Sequence, residues 1–415
     1  MSTGIQINDV APAPAIKHST SPTLLKLSAA ALYVGATGYG GPAILAQMKR
    51  KFVDERGWLG EKDFVDALNL AQILPGASGV SLMGYIGHKL RRPWGGILAP
   101  ACYVLPAAVL MLGASWAYFR YQGIKVVQSL FTGLGALVVA LLIYATFKLG
   151  QSVFKQSAAS KYQGALIASL AFLGLCFGHL NGIVLNAGAG LLGFVFYSFT
   201  GRSGHRDGAT KPIAPMTAKH TALRRSFAPL LAALMVALGM TCFPRTRQLF
   251  ATFFGIGTFA FGGGFAAISL IQSTVVDHLH WLTLAQFRDG IALGQITPGP
   301  VFITATFIGY KVMGVAGALM ATVAIFMPSL AAMIALSEVH NAIRDLQPVQ
   351  AIIRGILAGF IGMLAAVTLQ FAVTSLVAWQ TWLICCGSLT LVGYYKKDVL
   401  WAIAGTAVMS PLLFR

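Results

Sequence analysis

The sequence predicts an all-α polytopic membrane protein: two homologous halves in inverted topology, each opening on broken, re-entrant helical hairpins. Three observations carry this. The 415 residues are 56% hydrophobic and only 10% charged, against about 25% charged in a typical soluble domain. Apolar runs long enough to cross a bilayer, about 20 residues, recur, as at 96–119, 126–147, 313–337 and 355–378. Third, the chain is written twice.

The repeat is read by laying 35–43, GATGYGGPA, over 257–265, GTFAFGGGF. Tyr39-Gly40-Gly41 then matches Phe261-Gly262-Gly263, and Trp58-Leu59 matches Trp281-Leu282. FVDALNLAQILPG (64–76) matches FRDGIALGQITPG (287–299), YIGHK (85–89) matches FIGYK (307–311), and Pro106 matches Pro328, always at an offset of 222 or 223. Ordered matches over so long a stretch mark a duplication. The expected organisation is a polar tail at 1–22 without a cleavable leader, a first repeat at 23–200 and a basic linker at 201–226. A linking helix at 227–243 and a second repeat at 244–415 follow.

Complete crossings are expected at 96–119, 126–147, 162–179, 182–199, 227–243, 313–337, 349–372, 377–393 and 398–414. The remaining apolar elements, 24–48, 63–88, 247–275 and 285–310, carry the glycine and proline breaks. If these four were simple crossings, the loop 49–62 with Lys49, Arg50, Lys51, Arg56 and Lys62 would face outside, against the positive-inside tendency. If each dips in and returns, that loop stays cytoplasmic with the N-terminus, His88–Arg92, the six Lys/Arg of 201–226 and Lys396-Lys397. The hairpin arrangement is therefore preferred. Both arrangements place an odd number of crossings between the repeats, so the second is upside down relative to the first. The net charge of +18 reads as topology; no aromatic-interleaved basic pattern points to nucleic acid.

Gly and Pro are the poorest residues for a helix interior, yet they sit at the centre of these apolar elements. Irregular backbone at membrane depth is tolerated only when buried in protein or lining a wet cavity. Broken helices in inverted repeats are a secondary-transporter architecture with the substrate near the midplane. Pro42 and Pro300 are expected at the first position of the second half-helices, whose N-termini donate to anions. The candidate site for a compact anion is Gly40, Gly41, Pro42, Gln72, Pro75, Gly76 and Ser78 with Gly262, Gly263, Gly264, Gln295, Thr297, Pro298, Gly299 and Pro300. Glycine there lets an oxyanion approach the backbone; a lone Gly-Gly would mean only helix packing.

Other polar groups keep two readings each. The matched Asp66 and Asp289 are proton-coupling groups or structural partners, with Arg288 adjacent to Asp289. Lys89 and Lys311 draw anions or anchor helix ends by snorkelling. Gln72 and Gln295 donate to an oxyanion or cap the broken backbone. Arg354 reads as an interfacial anchor. The five cysteines form no Cys-x-x-Cys pair and read as small apolar residues. His179 has no ligand partner at metal spacing. No nucleophile elbow, Walker-type loop or His-Glu-x-x-His is present, so neither an enzyme, a metal nor a cofactor is expected.

FGGG (261–264) followed by GQITPGPVFITATFIGYKVMGVAGA (294–318) resembles the chromate ion transporter family, as does the weaker first copy, GYGGP (38–42) followed by AQILPGASGVSLMGYIGHKLRRPWGG (71–96). The two-half layout is similar to the long-chain members. The first copy has Ala77 for the second proline of Pro-Gly-Pro and Pro42 for the third glycine, so the half-sites are not equivalent. The resemblance implies chromate export from the bacterial cytoplasm across the inner membrane, with sulfate as the structural analogue. The partners expected are chromate, sulfate and the lipid bilayer, with a homodimer left open. The rival is a sulfate or other oxyanion importer coupled to cations.

Overall fold

The computed structural model describes residues 22–39, 41–154, 158–178, 180–200, 244–261, 263–336 and 347–414. The expected tail, the linker 201–226, the helix 227–243, His179, Gly40 and Gly262 lie outside the described residues.

The first half runs α1 (Leu24–Thr37), α2 (Gly41–Lys49), α3 (Glu61–Ile73), α4 (Ser78–Tyr121), α5 (Lys125–Phe154), α6 (Ala158–Cys176) and α7 (Gly182–Thr200). The second runs α8 (Pro244–Phe259), α9 (Gly264–Gln272), α10 (Leu284–Ile296), α11 (Thr304–Leu336), α12 (Gln347–Ser375), α13 (Trp379–Leu389) and α14 (Val399–Leu413). Among the described residues there is no strand. Irregularities recur at the same places in both halves. A π turn follows α2 at Arg50–Glu55 and α9 at Ser273–His278. Positive φ marks Gly76 (94°) and Gly299 (116°). The long helices fold at Arg91–Arg92 in α4 and at Met313–Gly314 in α11, with φ of 50° at Arg92 and 63° at Gly314.

The first, second and fourth broken elements return on themselves. Across the first break, Gln47 Nε2 donates to Thr37 Oγ1 at 2.5 Å, and Lys51 Nζ lies 4.6 Å from the centre of the Tyr33 ring; both pairs bracket the same point. Across the second, Lys89 Nζ meets Asp63 Oδ1 at 2.7 Å, bracketing Gly76. In the second half, Gly290 packs on the Phe307 ring and Gly294 on the Thr304 hydroxyl, bracketing 297–300. The chain turns back again beyond each long-helix fold, where Gly87 meets Gly95 and Gly309 meets Gly317 so closely that a Cβ on either would touch backbone.

The halves are interleaved. α4 packs on α11 and α5 on α12. α6 and α7 of the first half lie against α12 of the second, while α13 and α14 of the second lie against α5 of the first. Small residues permit these crossings: Gly193 on Gly355, Gly362 on Ala168, and Gly133 on Ser410. Most of the buried apolar side chains form one continuous core running through both halves.

Among the described residues, four helical stretches are long and apolar enough to cross a membrane: Ser78–Tyr121, Lys125–Gln151, Val301–Ala335 and Pro348–Ser375. The expected crossing 377–393 is instead the 11-residue α13 continued by a π turn, and 398–414 is the 15-residue α14. At 1.5 Å per residue such helices fall short of the roughly 30 Å hydrocarbon core. The outer surface is nonetheless apolar, with Phe147, Leu191, Val373 and Val408 exposed. Trp94, Trp116, Trp379 and Trp401 are also exposed, a residue type favoured at membrane–water interfaces.

Candidate functional site

Each break exists because a half-helix ends in extended backbone: at Gly38 (φ −86°, ψ 118°), Leu74 (−71°, 149°) and Thr297 (−77°, 135°). The freed backbone groups then find partners in the other half. Gly76 N–H donates to Ala260 C=O at 2.7 Å, and Gly299 N–H donates to Gly38 C=O at 2.9 Å. Ala260 stands 222 residues after Gly38 and Gly299 stands 223 after Gly76, so one interaction is made twice with the halves exchanged. The second break thus meets the third, and the fourth meets the first. Gly264, at the start of α9, also lies against Val301 just past the fourth break. All four interruptions form one connected cluster.

Small residues hold the cluster tight. A Cβ at Gly76 would lie 2.5 Å from Ser329 Cβ, and one at Gly299 would lie 2.8 Å from Ala107 Cβ. Ala107 and Ser329 are again equivalent positions, each just after the matched Pro106 and Pro328.

Helices start at these breaks without side-chain caps. Ala77 before α4, Gly263 (φ 89°) before α9 and Pro300 before the 3₁₀ turn Val301–Ile303 each lack a side-chain capping hydrogen bond. Pro300 is thus the cap in extended conformation rather than the first helical residue, and Pro42 is the second residue of α2. The two shifts are opposite in sense: the helix begins one residue before Pro42 in the first half and one residue after Pro300 in the second. An uncapped N-terminus presents free N–H groups and about half a positive charge. Beside the fourth break, Gln295 Nε2 is buried without a hydrogen-bond partner.

The remaining predicted residues divide. Pro298 and Thr297 are buried in the cluster, and the Thr297 hydroxyl donates to the Leu293 and Gly294 carbonyls, closing the end of α10. Gln72 is exposed. Lys89 lies 13 residues beyond Gly76, about 20 Å along a helix, and is held by Asp63. Lys311 sits 5.0 Å from the Phe119 ring centre; neither lysine belongs to the cluster. Asp66 is exposed, whereas Asp289 is 6% exposed. Asp289 Oδ1 accepts from Arg288 Nε at 3.1 Å and Nη2 at 3.0 Å, and Oδ2 accepts from Tyr118 at 2.9 Å. Sequence reasoning missed Tyr118, Ala107 and Ser329; the small residues after the matched prolines were the available signal for the last two.

The chromate transporter family profile matches residues 25–194 and 247–410. The chain belongs to the chromate transporter family. It is a membrane transporter, not an enzyme, and the two matched stretches of this chromate transporter follow the two halves described above. The chromate transport protein of Cupriavidus metallidurans is 29% identical over 98% of this chain and 97% of its own. An uncharacterized transporter of Methanocaldococcus jannaschii is 30% identical over 92% of each chain. The chromate transport protein of Pseudomonas aeruginosa is 29% identical over 84% of this chain and 80% of its own. No solved structure matches this transporter.

Proposed function

We propose that the chain is a secondary transporter that exports chromate from the bacterial cytoplasm across the inner membrane, binding the dianion at the four-break cluster. The observation that carries this is the exchanged pair of hydrogen bonds, Gly76 to Ala260 and Gly299 to Gly38. It supports two halves related by a pseudo-two-fold axis, and the charge pattern favours an axis in the membrane plane. The uncapped starts at Ser78, Gly264 and Val301 supply main-chain donors, and Gln295 Nε2 supplies an amide donor. The pattern suits a sulfate-like tetrahedral oxyanion, so sulfate competes.

Direction follows from electrostatics. Moving one charge through 100 mV is worth about 2.3 kcal/mol, so a dianion leaving a negative interior gains roughly 4–5 kcal/mol. Export therefore runs on membrane potential, with proton exchange as an added option. Import would need coupled cations and paired carboxylates; Asp66 is exposed and Asp289 is already bonded to Arg288, which does not favour that reading. The test is labelled chromate flux into inside-out vesicles with a lumen-negative or lumen-positive potential. Uptake raised by a positive lumen and reduced by sulfate is expected; uptake that requires an imposed cation gradient overturns export.

The same reading keeps the N-terminus, loop 49–62 and the 201–226 linker cytoplasmic. In that loop Lys49 pairs with Glu61 and Lys51 with Glu55. The hydrogen bond and charge of Lys49 hold the Glu61 carboxyl below its ordinary range. Acidic partners contribute little to orientation, which follows the Lys/Arg count. Lys51→Cys is therefore expected to resist impermeant thiol reagents in intact cells and to react in inside-out vesicles; the opposite pattern refutes this topology.

A further inference from the structure

Away from the breaks, a cavity of about 230 Å³ opens beside Arg288 and Asp289. It is lined by Tyr118 near the end of α4, by Gln122 in the turn that follows, by Gln128 and Thr132 from α5, and by the apolar Val127 and Phe131. We propose that this cavity is a second anion-binding station for a small oxyanion, with Asp289 as the displaceable internal counter-ion of Arg288. The assignment rests on the reading of the chain as an oxyanion transporter.

The ion pair is built for release. Arg288 has five N–H donors in a planar fork. Three are engaged: Nε and Nη2 on Asp289 Oδ1, and Nη1 on Ser375 Oγ at 3.0 Å. Both bonds to Asp289 fall on one carboxylate oxygen, so the fork is not matched bidentately to its partner. An oxyanion offers two oxygens at the spacing the fork prefers. Tyr118 holds the other oxygen of Asp289 at 2.9 Å, so the carboxylate keeps a donor when the guanidinium turns to a ligand. The arginine stem is seated in a gap on α5: a Cβ at Gly135 would lie 2.7 Å from Arg288 Nε. A water takes about 30 Å³ of liquid volume, so the cavity holds a small oxyanion with several waters.

Position links the station to the cluster. α10 carries Arg288 near its start and ends at the fourth break, nine residues on at Thr297, about 13 Å along a helix. Gln122 sits in the turn between α4 and α5, so the station lies at an end of the helical bundle. The first half has no counterpart: Val65 stands where the second half has Arg288, and Asp66 is exposed. A duplicated fold does not need such a pair; a path with different entry and exit does.

The test is equilibrium binding of labelled sulfate to the full chain in lipid nanodiscs. Two binding components are expected in the unaltered protein. Arg288→Gln removes one and leaves the other, and Asp289→Asn tightens that same component about tenfold by removing the competing carboxylate. Thr132→Leu fills the cavity without touching the ion pair and decides the matter if Arg288→Gln does not fold. Binding unchanged by Thr132→Leu in folded protein, or weakened by Asp289→Asn, overturns the station. Gly299→Leu separates the two sites: it removes the other component if the break cluster binds anion. Failure to do so, with the Thr132-sensitive component intact, sinks the cluster reading alone.

Discussion

Gly299→Leu and Gly76→Leu each lower chromate transport by at least about a hundredfold while the protein remains in the membrane. Two effects act together. Both glycines hold φ near +100°, a region that costs a side-chain-bearing residue about 1–3 kcal/mol. Each new Cβ also meets a neighbour, Ala107 at 2.8 Å or Ser329 at 2.5 Å, and overpacking adds about 1–3 kcal/mol more. Relief comes only by separating the halves at the hydrogen bonds to Gly38 and Ala260. The two causes can be told apart. Gly299→Ala is partly rescued by Ala107→Gly, which clears the contact but not the dihedral strain. Leu389→Ile, far from the breaks, leaves transport unchanged. Vesicle flux normalised to membrane-inserted protein is the readout; normal flux in both leucine variants rejects the cluster as the site.

Gly35→Val and Gly257→Val are expected to be strongly destabilising substitutions in the helical framework. A Cβ at Gly35 would sit 2.0 Å from the Tyr103 carbonyl oxygen, and one at Gly257 would sit 2.2 Å from that of Ile325. The obstacles are backbone atoms of the packed long helices, which cannot rotate aside as a side chain does. A loss of about 3 kcal/mol or more is expected for each, measured as thermal unfolding in detergent. The positions are equivalent, 222 residues apart, so the losses are similar; a large loss in only one half contradicts the equivalence. Gly387 has nothing within 4 Å of an added Cβ, so Gly387→Ala leaves stability unchanged or slightly raised.

The breaks were legible because glycine and proline act locally, and the same phrase at a fixed offset leaves little room for chance. The hairpin arrangement is preferred on the basic loop 49–62, which bears on sidedness; the reversals at the breaks are a matter of chain geometry. The exchange of α6 and α7 with α13 and α14 was not legible. Those helices are apolar on nearly every side, so the sequence carries no stripe to say which neighbour they face. The reversal at Arg91–Arg92 was half visible in Pro93, since the residue before proline avoids helix. Asp66 and Asp289 are identical in the sequence pattern, yet one is exposed and the other buried. The buried Asp289 is met by Tyr118, which is distant in sequence from α10. Gln72 and Gln295 part in the same way, because burial belongs to the packed helices and not to the motif.

The central claim, that four broken helices converge on one oxyanion, is tested most directly by locating chromium. Chromate bound to the full chain in lipid should give element-specific anomalous density. The account places a chromium peak within hydrogen-bonding reach of the main chain at Ser78–Gly79, Gly264–Phe265 and Val301–Phe302, with Gln295 Nε2 turned towards it. A saturated complex with no chromium at these segments, whatever else it binds, contradicts the account.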